Sequence, residues 1–536
     1  MHNILIKDGT LVDGTGSPGV PRDVAIDGAK IAGIFKHSEA KASMTIDAKG
    51  LVVCPGFIDI HSHSEIHLLA NPLAESKVRQ GVTTELVGNC GGSSAPAIGE
   101  VRTSLMDYST PLCVKVDWTS MDEYLLRLAD IRPSVNVATL VGASTLRTAV
   151  MGGTSSRPTA AQMTQMKELL VEAMLHGAYG LSSGLIYAPG CFATTDEIVE
   201  LASASAALGG FYASHIRGEG ITLVKAVEEA ITIGRRARTR VQISHHKACG
   251  RRFWGTVSKT LKMIEDAQAA GVDVAFDVYP YTASCTSLDT VLPPWAREGS
   301  KEDVIARLND AATRERAKKE METSSDEWEA IAAEDGWENV YLIGLAKEHN
   351  RRFENRPMSK VAEELGKDPG DAALDLIVDE DLMAGAIFHE ISEDDVIRVM
   401  SHPLGSIGSD GEAEAPYGPT SDCATHPRAY GTFPRVLARY VREKKILSLE
   451  DAIRKMTSLP ADRIGFRDRG RIAPGMAADV VVFDPEKVRD TATFEDSHRF
   501  PDGIKCVVVN GLVTVMDGEH TRERAGQVLR HRPSVS

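Results

Sequence analysis

Short runs of alternating apolar and polar residues, each closed by a glycine turn, fill the start of the chain. NILIKDG, TLVDG, RDVAIDG, KIAGI and MTIDAKG read as brief strands of a small antiparallel β unit from Asn3 to about Cys54, with Asp8-Gly9 and Asp27-Gly28 as hairpin-like turns. The same texture returns only near the other end, in ADVVVFDP from Ala478 and CVVVNGLVTVMDG from Cys506. The economical reading is one small β domain, residues 1–54 and 471–536, split between the termini around a central insertion.

Between them, residues 55–470 alternate short apolar runs with amphipathic helical segments. Candidate strands fall at 81–89, 136–142, 179–185, 209–216, 239–246, 272–281 and 405–411, and helices at 160–177 and 220–237 lie among them. With the apolar run before His61 the count reaches about eight, which predicts an α/β fold: a TIM-type (β/α)8 barrel with its site at the strand C-terminal ends. From 296 to 380 the rhythm lapses into charged helical sequence, a helical insertion after the seventh strand. It reads either as a lid over the site or as a solvated excursion with no role.

Composition narrows the class. Of 536 residues, 43% are hydrophobic and 25% charged, which fits a globular protein. No apolar stretch approaches a transmembrane helix, and MHNILIKDGTLVDG lacks the basic and apolar regions of a secretory signal, so a cytoplasmic location is expected. The net charge of -15 disfavours nucleic-acid or anionic-membrane partners and leaves room for a local basic site for a small anionic substrate. Eight scattered cysteines with no CxxC pair read as free thiols in a reducing compartment. The oligomeric state is left open.

The chemistry gathers where apolar runs end. LVVCPGFIDIHSH, Leu51 to His63, finishes in two histidines one residue apart; alternate strand residues share a face, so His61 and His63 point to one spot. Alone, this pair also reads as polar residues where a strand surfaces. Cys90 in VGNCGG, His215 in YASHIRGEG, His245 in VQISHHK and Asp410 in GSIGSDG stand at the ends of other runs, and a barrel brings those ends to one mouth. Six candidate ligands of types suited to zinc then converge. His246, next to His245, faces the opposite side.

The chain resembles the N-acyl-D-amino-acid deacylases (D-aminoacylases) of the amidohydrolase superfamily over nearly its whole length. PGFIDIHSHS, QGVTTELVGNCG, GLSSGLIYAPG, SHIRGEG, ISHHK, DVYPYTASCTSL, LPPWA, GSDG, HPRAYGTFPRVL and GRIAPGMAADVVVFDP carry the resemblance. It implies a tight zinc held by Cys90, His215 and His245 and a neighbouring, weaker position at His61, His63 and Asp410, the latter also moving protons. It implies a substrate carboxylate held by Lys247, Arg428, Tyr281 and Ser287, with Tyr187 as another pocket residue. Lys247 and Arg428 also read as solvated surface charges, and Tyr281 as a packed aromatic. Arg217 and Glu219 read as a pair orienting His215, or as a plain surface ion pair.

The activity so implied is zinc-dependent hydrolysis of an N-acyl-D-amino acid to a carboxylate and a free D-amino acid, the handedness resting on the resemblance alone. The rivals are an amidohydrolase acting on another amide, carbamate or cyclic imide, and more distantly a non-catalytic scaffold member of the fold. The HxH continues as HSHSEIHLL, with Ser64, Glu65 and His67 where the relatives carry acidic residues, and the loop after Asp410 is longer; both lie near the mouth and bear on substrate identity.

Overall fold

A computed structural model describes residues 1–533. Strands from both ends of the chain share one nine-stranded sheet. Its central pairing sets Val52–Pro55 antiparallel to Val480–Phe483, and His2–Leu11, Val20–Asp27 and Lys30–Phe35 extend it on one side, Ile504–Val509 and Leu512–Met516 on the other. The sheet is mixed, not antiparallel as expected: His2–Leu11 runs parallel to both Ala42–Asp47 and Val52–Pro55. Asp27-Gly28 begins a two-residue hairpin turn, whereas Asp8-Gly9 makes no turn. It is a bulge inside a ten-residue strand, with Asp8 at φ 60° and the register slipping between Ile6 and Gly9.

Gly56 is the joint between this sheet and the next. A Cβ there would lie 2.1 Å from Thr83 Oγ1, so only glycine lets the chain pass straight from Val52–Pro55 into Phe57–Asp59. Phe57–Asp59, Val82–Val87 and Asn136–Thr139 form a parallel three-stranded sheet. Val141–Gly142, Gly180–Gly184, Phe211–His215, Val241–Ile243, Val274–Val278 and Gly405–Ile407 form a parallel six-stranded one, paired in chain order. Leu140 alone separates the two, and its N–H donates to Val87 O at 2.8 Å. At the outer edges Ser62 bridges Gly411, and the Asp410 N–H donates to His61 O at 2.7 Å. These strands are buried along their whole length, polar residues such as Thr84, Ser182 and Asp277 included, which explains why they show no polar–apolar alternation.

The helices between them present apolar stripes to the strands. Leu223–Ala237 buries Leu223, Ala226, Val227, Ala230, Ile231 and Gly234, a 3.6-residue periodicity. Each fully buried leucine, valine or isoleucine there stabilises the fold by roughly 1.5–3 kcal/mol. Ala160–Leu175 starts at Thr159, whose side chain and that of Gln162 form a reciprocal capping box.

The segment after the seventh strand is not a solvated helical excursion. It contains an antiparallel sheet, Ser284–Ser287, Gly385–Phe388 and Val340–Ile343, and a separate hydrophobic cluster that includes Val304, Leu308, Leu342, Phe353, Met358 and Leu374. The chain's last described stretch leaves the terminal sheet altogether: Gly526 and Leu529 donate to Pro133 O and Val137 O, beneath the parallel strands.

Candidate metal centre and active site

The residues following the parallel strands converge. The donor atoms of His61, Cys90, His245 and Asp410 all lie within 4.8 Å of one another, and those of His215, Glu219 and His245 form a second such group. Cys90 Sγ is 3.2 Å from His61 Nε2 and 3.5 Å from His245 Nε2. Asp410 Oδ1 is 3.0 Å from His63 Nε2 and 3.1 Å from His61 Nε2. The tightest four therefore draw two members from each of the two ligand sets expected from sequence, with Cys90 between them.

Backbone geometry sets these side chains. Cys90, His245 and Asp410 stand just past their strands at φ 52°, 34° and 54°, in the left-handed region that non-glycine residues rarely enter. Such conformations cost on the order of 1–3 kcal/mol each and persist where surrounding packing enforces them, typically at functional sites. Gly408 permits the closest approach: a Cβ on it would lie 2.7 Å from that of His61.

Charge in the cluster is poised for a cation. Burial raises the Cys90 thiol, but His61, His215 and His245 outweigh it and hold the group well below its ordinary value, favouring thiolate. Burial likewise raises Asp410, and Arg428, His61 and His245 bring it well below the usual carboxylate range. Burial lowers His63, yet Asp410 and Cys90 push it up to about 10. Both ring nitrogens of buried His215 lack a hydrogen-bond partner. A soft thiolate, imidazoles and a carboxylate this close together, with an orphaned imidazole beside them, suit zinc.

Two carboxylates orient the imidazoles: Asp277, which the sequence alone does not single out, and Glu219, which it sets beside His215. Asp277 Oδ1 is 3.0 Å from His61 Nδ1 and accepts the His245 N–H at 2.7 Å. Glu219 Oε1 is 3.0 Å from His245 Nδ1 and accepts from Lys247 Nζ at 2.6 Å. Each fixes a ring through the nitrogen facing away from the cluster. Glu219 is not paired with Arg217, whose guanidinium instead holds Glu229 at 2.8 Å. His246 turns away and meets Thr260 Oγ1 at 2.9 Å.

A cavity of about 430 Å3 opens from the cluster, lined among others by Tyr187, His215, Lys247, Tyr279, Cys285 and Asp410. Lys247 is buried; burial lowers it, but Glu219 raises it well above its ordinary value, so it stays charged. It reaches this position through a loop, since its strand ends at Ile243, and not by strand alternation. Arg428 Nη1 lies 2.7 Å from Asp410 Oδ2 without a directed hydrogen bond, an ionic contact. Tyr187 packs its ring 4.8 Å from that of His215.

Tyr281 and Ser287 do not line this cavity. The Tyr281 hydroxyl donates to Pro427 O at 3.3 Å, and the Ser287 hydroxyl donates to Asp289. Past Val278 the strand has ended and Pro280 turns the chain, so Tyr279 takes the cavity position instead. Its buried hydroxyl has no partner, and its ring lies 5.1 Å from the Arg428 guanidinium and 5.6 Å from Lys247 Nζ.

A thiolate, imidazole and carboxylate cluster at one end of a cavity lined by Lys247, with Arg428 held on Asp410, fits a metal-dependent hydrolase. The model of the Amidohydrolase family matches residues 44–515. The chain is 36% identical to N-acyl-D-glutamate deacylase of Alcaligenes xylosoxydans xylosoxydans over all of its own length and 98% of that protein. It is 38% identical to the N-acyl-D-aspartate deacylase of the same organism, over 98% of this chain and 95% of that one. Among solved structures, the Bordetella bronchiseptica N-acyl-D-glutamate deacylase, complexed with zinc and a phosphonate mimic of the tetrahedral intermediate, superposes with a TM-score of 0.84 at 34% identity, covering 99% of this chain and 100% of that one. A D-aminoacylase described for its binuclear metal centre gives 0.82 at 35% identity, with 99% and 100% coverage. The chain belongs to the N-acyl-D-amino-acid deacylases of the amidohydrolase family.

Proposed function

We propose that this chain hydrolyses the amide bond of N-acyl-D-amino acids, releasing a carboxylate and a free D-amino acid, with zinc as its cofactor. The observation that carries this is the placement of Lys247 and the unpartnered Tyr279 hydroxyl on the wall of the cavity that the donor cluster closes, with Arg428 against Asp410. Preference for the D enantiomer is supported by the named substrates of the full-length relatives.

Cys90, His215 and His245 would hold the tighter zinc, and His61, His63 and Asp410 a weaker position beside it. Zinc bound there supplies Lewis acidity, acidifying a water and polarising the acyl carbonyl. Asp410 accepts the proton of the attacking water and returns it to the leaving amine, an assignment supported by its ionised state beside Arg428. Lys247 and the Tyr279 hydroxyl hold the substrate carboxylate, with Arg428 at the same end; Tyr187 shapes the pocket. Asp277 and Glu219 keep His61 and His245 in register throughout.

In this reading the eight parallel strands are a (β/α)8 barrel within residues 55–470, closing where Ser62 meets Gly411. Residues 1–54 and 471–525 make up the small β domain, the described residues after them pack beneath the parallel strands, and 296–380 is the insertion. A cytoplasmic location is supported by eight free cysteines. Among the described residues no helix is long and apolar enough to cross a membrane.

The test is a panel of matched N-acetyl-D- and N-acetyl-L-amino acids with zinc-loaded protein, reading released amine. Turnover confined to D-substrates supports the proposal. Silence across the panel with zinc bound would move the search to other amides, carbamates and cyclic imides.

A further inference from the structure

A second, larger opening meets the donor cluster on its other side. This cleft of about 1090 Å3 begins at His63 and at Gly91, next to Cys90, and one of its walls is the helix Gly99–Ser109. Val101, Ser104, Leu105 and Tyr108 all line it; their i, i+3, i+4, i+7 spacing turns one face of the helix toward the cleft. Val101 of this face is buried and Leu105 half-buried against the core, while Ser104 and Tyr108 are exposed. Ile66 and Pro189 add further apolar surface, and Glu65 and Glu412 stand among the lining residues.

The two openings lie on either side of one side-chain contact. His63 lines the cleft, Asp410 lines the smaller cavity, and the two side chains touch at 3.0 Å. With the substrate carboxylate drawn to Lys247 and Tyr279 and the scissile carbonyl at the cluster, the amino-acid half occupies the cavity. The acyl half then has the cleft ahead of it.

We infer that the cleft is the acyl subsite and that it takes a long neutral alkyl chain, laid along Val101, Leu105 and Tyr108. The inference rests on the deacylase reading above. Its walls offer an extended chain apolar contact that an acetyl group is too short to reach, and each well-packed methylene improves discrimination. Glu65 and Glu412 disfavour an acyl group ending in a carboxylate.

The experiment compares kcat/KM of the zinc-loaded full chain for N-acetyl-, N-octanoyl- and N-succinyl-D-leucine. The octanoyl substrate is expected to exceed the acetyl one by about tenfold or more, with the succinyl one below both. Ser104 is exposed on the lining face, and Ser104→Trp should narrow the cleft, removing about tenfold on octanoyl while leaving acetyl within about twofold. Leu105→Ala should raise KM for octanoyl with kcat unchanged. An octanoyl value at or below the acetyl value, or equal losses on both substrates in Ser104→Trp, overturns the acyl subsite. Absence of turnover on every substrate, acetyl included, overturns the deacylase reading and the subsite with it.

Discussion

Lys77 is buried beside the bridge between Ser62 and Gly411, and its removal tests how that junction is held. The side chain is wholly buried, and its Nζ donates to Asp59 Oδ2 at 2.9 Å, Ser409 Oγ at 2.7 Å, Gly411 O at 2.8 Å and Ser62 Oγ at 3.2 Å. Asp59 in turn accepts the backbone N–H of Ser409, one residue before Asp410. Lys77→Met keeps most of the volume but leaves Asp59 facing Glu85 with no countercharge. Breaking a buried pair in this way costs about 3–5 kcal/mol. At roughly 2.1 cal/mol/K per residue, unfolding of a chain this long carries an entropy near 1.1 kcal/mol/K, so Tm should fall by about 3–5 °C. Scanning calorimetry with chelator present in every sample keeps metal loss out of the comparison. Lys77→Met/Asp59→Asn, which removes both charges, should recover most of the shift. A fall of less than about 1 °C, or no recovery in the double variant, would refute the reasoning.

Other consequences follow from named contacts. Tyr279→Phe should lower kcat/KM by about 10- to 100-fold, mostly through KM, because it deletes a hydrogen bond to a charged carboxylate, while Tyr281→Phe should change it little; equal effects in steady-state kinetics would contradict the assignment. Ile186, Ile331 and Phe388 line the cavity together with Glu329 and Glu390, and in this account Lys247 is engaged by the α-carboxylate, so an acidic side chain meets two further carboxylates there. N-acetyl-D-glutamate should therefore be turned over at least about tenfold less efficiently than N-acetyl-D-leucine, and parity would count against this view. Burial, with the nearby Asp335 carboxylate, pushes Glu390 up to about 7. The folded state then holds a proton that the unfolded state releases near 4.5, so this contribution is most favourable below about pH 4.5, declines as pH rises toward 7 and is flat above, by about 3 kcal/mol in all. Glu390→Gln should flatten that part of the Tm–pH curve, and an unchanged slope would show that the carboxyl is not protonated in the fold.

The six candidate ligands stood out as His, Cys and Asp residues at the ends of short buried strands, although those strands are not uniformly apolar: Val82–Val87 carries Thr83, Thr84 and Glu85, and Val241–Ile243 carries Gln242. What escaped the sequence depends on contacts it does not encode locally. Asp277 meets His61 across 216 positions, and Glu219 reaches His245 and Lys247 from a different loop. Tyr281 was named by the resemblance alone, whereas the strand ends at Val278 and Tyr279 is the tyrosine that meets the cavity. Asp8-Gly9 has the composition of a turn and the position of a bulge, a distinction set by pairing with Val20–Asp27. The strands VYLI and GAIF hid in the insertion because they are short and flanked by charged helices, so their apolar residues did not stand out as a separate core.

The central claim is that Asp410 moves the protons of amide hydrolysis within a zinc-holding cluster. The most direct measurement pairs zinc content with turnover of N-acetyl-D-leucine in wild-type protein and Asp410→Asn. The account predicts that the variant retains the tighter zinc and loses turnover by about 10³-fold or more, within the range that general acid–base catalysis contributes. Turnover within about tenfold of wild type, with zinc retained, would contradict it.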